Sequence, residues 1–123
     1  MSSDLEIHEN ERIVQLTVTG ELNADRALAI IDKISLTVKL YPDYNSLVEI
    51  QNITYQPDMA ELLEVASECS KRLTDFKYKI AYLIPDKTGR KEVAKLFKAC
   101  MELQGFEVMQ FVKYDDALKW LSL

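Results

Sequence analysis

The residues that could do chemistry are few. His8 is the only histidine, and its neighbours are Glu6 and Glu9, with no cysteine or serine motif beside it. An imidazole can act as a base in isolation, but this setting reads as an exposed histidine on an edge strand. Cys69 and Cys100 lie far apart without a CxxC pattern, each on the apolar stripe of a predicted helix. Such thiols predict buried core residues in a reducing cytoplasm, with a disulfide or redox pair as the alternative. One imidazole and two thiols on separate helices do not make a zinc ligand set. No GxSxG stretch, glycine-rich dinucleotide loop or HExxH stretch occurs. Without a coherent nucleophile–base pair, and with no cofactor or metal implied, the chain reads as a binding module and not an enzyme.

The segment closest to a phosphate loop is Pro85-Asp86-Lys87-Thr88-Gly89-Arg90-Lys91. It opens a predicted helix, whose free N–H groups favour an anion, but it lacks the first glycine and the Gly-Lys-Ser/Thr ending of a P-loop. Two readings stand: a turn with an ordinary helix start, or a seat for an anionic ligand or a partner's carboxylate at Lys87, Thr88 and Arg90. Lys91, Lys95 and Lys98 follow at i, i+4 and i+7, on the side of that helix opposite its core stripe, as a solvated face or one for an acidic partner. Tyr41, Tyr44, Tyr55 and Tyr114 fall in loops or at element ends. In a parallel sheet, Tyr55 and Tyr114 lie at the C-terminal edge, where open α/β sheets bind ligands.

These residues sit on an ordinary globular background. The 123 residues are 48% hydrophobic and 28% charged, with three glycines and three prolines, which excludes a disordered or fibrous chain. One domain of this length buries roughly two-thirds of its unfolded surface. The N-terminus is polar and acidic, unlike a secretory signal, and no apolar run reaches the ~18 residues of a membrane span. The net charge of -5 argues against a broad nucleic-acid surface. That charge is divided: residues 1–68 carry 13 acidic and 4 basic groups, residues 69–123 carry 7 and 11. A dipolar molecule of this kind would steer an acidic partner toward its C-terminal half.

The elements that position these residues follow from periodicity. A strand over Leu5–His8 turns through Glu9-Asn10-Glu11 into a second, Arg12–Thr19, where Val14, Leu16 and Val18 alternate with Gln15, Thr17 and Thr19. Asn23 caps a helix to Leu40 with an inward stripe of Ala24, Ala27, Leu28, Ile31, Ile34 and Val38. Ser46–Gln51 is a third strand, after the Tyr41–Asn45 turn. Asp58 with Glu61 opens a second helix, with Met59, Leu62, Leu63, Ala66, Cys69 and Leu73 inward. Tyr78–Ile84 is a fourth strand. Thr88–Gln104 is a third helix with Val93, Leu96, Phe97, Cys100 and Leu103 inward, stopped by Gly105. Phe106–Val112 is a fifth strand and Asp115–Leu121 a closing helix capped by Asp115-Asp116. The order β-β-α-β-α-β-α-β-α predicts an α/β fold: a leading β-hairpin, a five-stranded mostly parallel sheet and four helices. Because strands two and three place Gln, Thr and Glu at alternate positions, both faces cannot be fully buried. The expectation is a two-layer arrangement, with helices mostly on one face and the other partly solvated.

Four stretches carry a family likeness: Leu16-Thr17-Val18-Thr19-Gly20-Glu21-Leu22, Tyr41-Pro42-Asp43-Tyr44, Ser46-Leu47-Val48-Glu49-Ile50 and Asp116-Ala117-Leu118-Lys119-Trp120-Leu121. Together with the element order they resemble the STAS fold of anti-sigma-factor antagonists, and most of all the STAS-like (SpoIIAA-like) small bacterial proteins, which also resemble lipid-binding Sec14-type domains. The antagonists carry an Asp-Ser-Ser-Gly-Leu-like stretch at the start of the second helix, with a serine that is phosphorylated to release the partner. Here that stretch becomes Asp58-Met59-Ala60-Glu61-Leu62. Met59 holds the acceptor position, and a thioether cannot accept a phosphoryl group.

The resemblance implies a non-enzymatic regulatory or scaffolding domain. Its binding edge would be built from Gly20–Asn23, Thr54–Met59 and Pro85–Arg90, with Tyr114 beside them. Asp58 would cap its helix, while Lys87, Thr88 and Arg90 would meet an acidic protein partner or small anion. The alternative is a small-ligand or lipid carrier with an apolar cavity between sheet and helices, lined by residues such as Tyr78, Ile80, Phe97 and Leu63. A homodimer through the half-polar sheet face or an edge strand fits either reading.

Overall fold

A computed structural model describes residues 2–20, 23–50, 57–73 and 79–123. The strands are β1 (Ser2–His8), β2 (Ile13–Thr19), β3 (Asn45–Ile50), β4 (Lys79–Leu83) and β5 (Glu107–Phe111). The helices are α1 (Ala24–Leu40), α2 (Met59–Arg72), α3 (Thr88–Leu103) and α4 (Tyr114–Leu121). Element order and type match the periodicity reading, with ends displaced by up to three residues. Of the expected strand ends, Gln51 and Tyr78 lie outside the described residues.

The strands stand side by side in sequence order, β1 antiparallel to β2 and all others parallel. Each parallel step needs a crossover, and α1, α2 and α3 supply them. Local chemistry sets the joints. Asn23 accepts from the Arg26 N–H at 2.8 Å and Asp58 from the Glu61 N–H at 2.8 Å, so both caps occupy the expected positions. Gly105 ends α3 with φ +92, a conformation that a side chain disfavours. Arg12 takes φ 56 as the hairpin re-enters β2.

Strand parity then divides the core in two. Leu16, Val18, Val48, Ile80 and Val108 face α1, α2 and α3 and form the larger cluster. Ile13, Leu47, Ala81 and Leu83 face the opposite way and meet Ala117 and Leu121 of α4. The three long helices thus make one layer on one face, while α4 covers part of the reverse face. The rest of that face carries Gln15, Thr17 and Glu49. The alternation of β2 and β3 therefore reports a sheet only half dry on its reverse side.

Three local expectations change. In α2 the buried stripe is Leu62, Val65, Ala66, Cys69 and Leu73, while Met59 and Leu63 are 47% and 45% exposed. In α3 Met101 is buried with Cys100, whereas Leu96 and Leu103 face out. Leucines at positions compatible with two adjacent stripes leave the helix rotation open in sequence, and contact between α2 and α3 decides it. Asp115 and Asp116 do not cap α4. Lys113 holds the cap position, and the two carboxylates lie in the first turn, where the helix dipole favours them.

Candidate functional site

The larger core is not filled. Between the inner face of β2–β4 and the three long helices lies a cavity of about 160 Å³, walled almost wholly by hydrocarbon. Val18, Val48 and Ile80 form its floor, Ile31 and Ile34 of α1 one wall, and Phe97 of α3 another. The void has an identifiable origin in the side chains around it. Ser46 stands on β3 in line with Val48 and Ile50, where a third branched residue would otherwise fill space. Ala27 and Ala94 sit on the lining turns of α1 and α3. Native interiors contain few voids larger than a water molecule, so an apolar space of this size is a feature to be explained.

Five lining side chains carry heteroatoms that could report on a ligand: Ser46, Cys69, Tyr82, Arg90 and the thioether of Met101. Burial pushes the Cys69 thiol up from 9.0 to about 12, with the nearby Arg72 charge opposing and Glu68 reinforcing the shift. It stays a thiol at neutral pH and is no nucleophile. Burial also raises the Tyr82 phenol well above its ordinary value, and its ring packs against Phe97 with centroids 5.6 Å apart. Arg90 is partly buried and is the one charged residue among the described lining. Such an interior has the chemistry of a container: apolar walls, protonated weak donors and one cation.

Of the carrier residues expected from sequence, Ile80 and Phe97 line this cavity, Leu63 points outward, and Tyr78 lies outside the described residues. The binding-edge residues are dispersed more widely. Asp58 is occupied as a cap. Met59 is exposed at the start of α2, its Sδ 3.9 Å from the Cys100 thiol, which donates to it. Lys87 and Thr88 are exposed at the start of α3, one turn from Arg90. Tyr55 lies outside the described residues. Tyr114 does not join them, because its hydroxyl turns to the reverse face and donates to Gln15 Oε1 at 3.1 Å.

The basic face of α3 is partly neutralised. Lys91 pairs with Asp86 at 2.5 Å, an interaction that lowers the Asp86 carboxyl, and Lys98 pairs with Glu102 at 3.2 Å. Lys95 has no ion pair with a described residue and is exposed.

A second polar assembly was not foreseen from sequence. Gln15, only 8% exposed, accepts from Tyr114 and from His8 Nε2 at 3.0 Å, and donates to Glu49 at 3.4 Å. Thr17 donates to the same Glu49 oxygen at 3.4 Å. His8 is therefore a structural partner of Gln15. Strand alternation supplied the signal for Gln15, Thr17 and Glu49, but only the return of α4 brings Tyr114 to them. Among the described residues no His/Cys/Asp/Glu group is arranged to hold a metal, and no helix is long and apolar enough to cross a membrane. A scan against protein-family models and a search of curated proteins both found no match for the chain.

Proposed function

We propose that this chain is a STAS-like domain that acts by binding, not catalysis, and that it carries or senses a small apolar ligand held between its sheet and long helices. One observation carries this reading: a cavity of about 160 Å³ within the larger core. Leaving such a space empty costs stability, on the order of 24 cal/mol for each Å³ of void. A ligand that fills it recovers those contacts, and the large apolar burial favours hydrocarbon over any polar solute. The Sec14-type side of the resemblance points the same way. The inert thiol and phenol on the lining support containment over chemistry.

The test uses benzene as a neutral probe and thermal unfolding as the readout. Binding to the native state alone raises Tm with ligand concentration. Benzene should raise Tm in the natural chain, while Ala94→Leu, which grows into the void, should fold and show little or no rise. If neither benzene nor 1-octanol shifts Tm or perturbs the core methyl signals in NMR, the carrier reading is wrong.

A second reading, a protein partner, draws on a different observation. Met59, Leu63 and Leu96 remain 45–47% exposed beside the contact between α2 and α3. Met59 sits where the resembled family presents its phosphorylatable serine, and apolar exposure there suits a partner surface without that switch. Met59→Glu with Leu96→Glu would abolish such an interaction while leaving benzene binding intact. A partner retained by the double variant would remove this surface from consideration.

A further inference from the structure

One polar group on the cavity wall is out of keeping with its burial. Among the described residues three polar side chains are buried: Gln15, Thr37 and Ser46, at 8%, 5% and 3% exposure. Gln15 accepts from His8 and Tyr114, and Thr37 donates to the Lys33 carbonyl at 2.7 Å. The Ser46 hydroxyl makes no hydrogen bond with a described residue. The reason is local. A helical threonine returns its proton to the carbonyl four residues back, whereas on β3 the carbonyls are engaged by the ladders to β2 and β4. The cross-strand neighbours of Ser46 are Val14 and Ile80, whose side chains offer no partner. Gln110 Oε1 is also unpartnered, but it is sealed off from open space. The Ser46 oxygen is not sealed off, and the space its side chain borders is the cavity.

The rest of the wall limits what such a group can bind. Burial keeps Cys69 and Tyr82 protonated at neutral pH, and Arg90 already has an interaction partner. The cavity therefore offers hydrogen bonds but no uncommitted charge, and an ion placed in it would lose its hydration without a counter-charge. A pouch of about 160 Å³ is close to an engineered apolar cavity, about 150 Å³, that stays dry and accepts benzene. Its matching occupant is one ring of roughly six to eight carbons. A buried water takes about three polar partners, which the hydrocarbon beside Ser46 does not supply. A hydroxyl on the ring both donates and accepts, as Ser46 itself does.

Resting on the cavity-binding reading above, we infer that the ligand is a small neutral ring compound with one hydroxyl, of the phenol class. The ring fills the apolar space over β3 and β4, and its oxygen meets the Ser46 hydroxyl. Carboxylates and phosphates are excluded by their charge.

NMR titration of the full chain, read at the core methyl groups, tests this with phenol, benzene and benzoate. In a purely apolar cavity an unmet phenol hydroxyl would weaken binding about a hundredfold relative to benzene. Here phenol should bind within about threefold of benzene, because Ser46 offsets that loss. Ser46→Ala should weaken phenol about tenfold and leave benzene unchanged, so benzene also verifies that the variant is folded. Tyr82→Phe should leave phenol unchanged, and benzoate should bind about a hundredfold more weakly than phenol. Phenol about a hundredfold weaker than benzene in the natural chain overturns the inference while the cavity reading survives. A phenol affinity that ignores Ser46→Ala, falls with Tyr82→Phe instead, or falls in step with benzene overturns the seat at Ser46. Benzoate binding as tightly as phenol overturns the restriction to neutral ligands. If benzene and 1-octanol also fail to bind, the cavity reading itself is wrong.

Discussion

The two faces of the sheet are built from alternate residues of the same strands and are packed to opposite ends. Leu47 and Val48 are neighbours on β3, yet Leu47 enters a small, closed core under α4, while Val48 borders the pouch under three long helices. The reverse core gains closeness from Ala81 and Ala117, both 0% exposed, which let helix and sheet approach. Phe111 and Trp120 close its flank with ring centroids 5.8 Å apart. Lys79 lies 5.3 Å over the Trp120 ring and donates to the carbonyls of Trp120 and Leu123 at 2.9 and 3.0 Å, and Asn45 donates to the Leu121 carbonyl. The larger face has more apolar surface but is left unfilled. Area alone does not decide where a protein is firm: the smaller face fastens the sheet, and the larger one keeps an apolar space.

The largest expected effect separates those roles at adjacent residues. Leu47→Ala removes a fully buried side chain from a close-packed site and should cost about 3 kcal/mol. Val48→Ala enlarges a space that already exists, so fewer contacts are lost, and the cost should be about 1 kcal/mol. Urea midpoints with unchanged slopes measure both. Equal cost per carbon removed would mean that the two faces are equally well packed, and the contrast would fall.

The next effect acts on the pouch side through pH. The Cys69 thiol has its ordinary value of 9.0 pushed up to about 12, chiefly by burial. A raised pKa means that the folded state holds its proton more tightly than the unfolded chain. Its contribution is whole below 9.0 and is lost as pH rises from there to about 12, at about 1.4 kcal/mol per pH unit for a single group. Tyr82, also raised by burial, adds to the same alkaline decline. Cys69→Ala should therefore flatten the fall in urea midpoint above pH 9.0 relative to the natural chain. An unchanged alkaline slope would show that the thiol is not the group that titrates.

Strand and helix order was legible because periodicity is local. Val14, Leu16 and Val18 against Gln15, Thr17 and Thr19 state which side of β2 is dry without any knowledge of its neighbours. Asn23, Asp58 and Gly105 mark helix ends for equally local reasons. The rotation of α2 and α3 was not legible, since Leu62 and Leu63, or Leu96 and Phe97, offer adjacent stripes between which tertiary contact chooses. The cavity was still less so. It is a deficit summed over Ser46, Ala27 and Ala94 from three elements, and no single residue signals a missing volume. Ile80 and Phe97 could be named as lining because any central strand and the helix above it must face that space. Leu63 could not be placed correctly without the rotation. Tyr114 shows the same limit, since its distance of 99 residues from Gln15 is bridged only by the turn into α4.

The smallest expected effect concerns the open half of the reverse face. Gln15 Oε1 receives both His8 Nε2–H and the Tyr114 hydroxyl, while the Gln15 amide nitrogen donates to Glu49. Tyr114→Phe removes one of two donors and keeps the ring, so Gln15 retains a partner and no buried acceptor is orphaned. The loss should be about 0.5 kcal/mol, the low end for a neutral hydrogen bond, because Tyr114 is itself 38% exposed. Gln15→Ala should cost more, since it leaves Glu49, His8 and Tyr114 without their common partner. If Tyr114→Phe instead lowered the urea midpoint as far as Leu47→Ala does, the reverse face would be held by its polar network. The small apolar core under α4 would then not be the fastening, and the contrast with the pouch would have to rest on hydrogen bonding instead of packing.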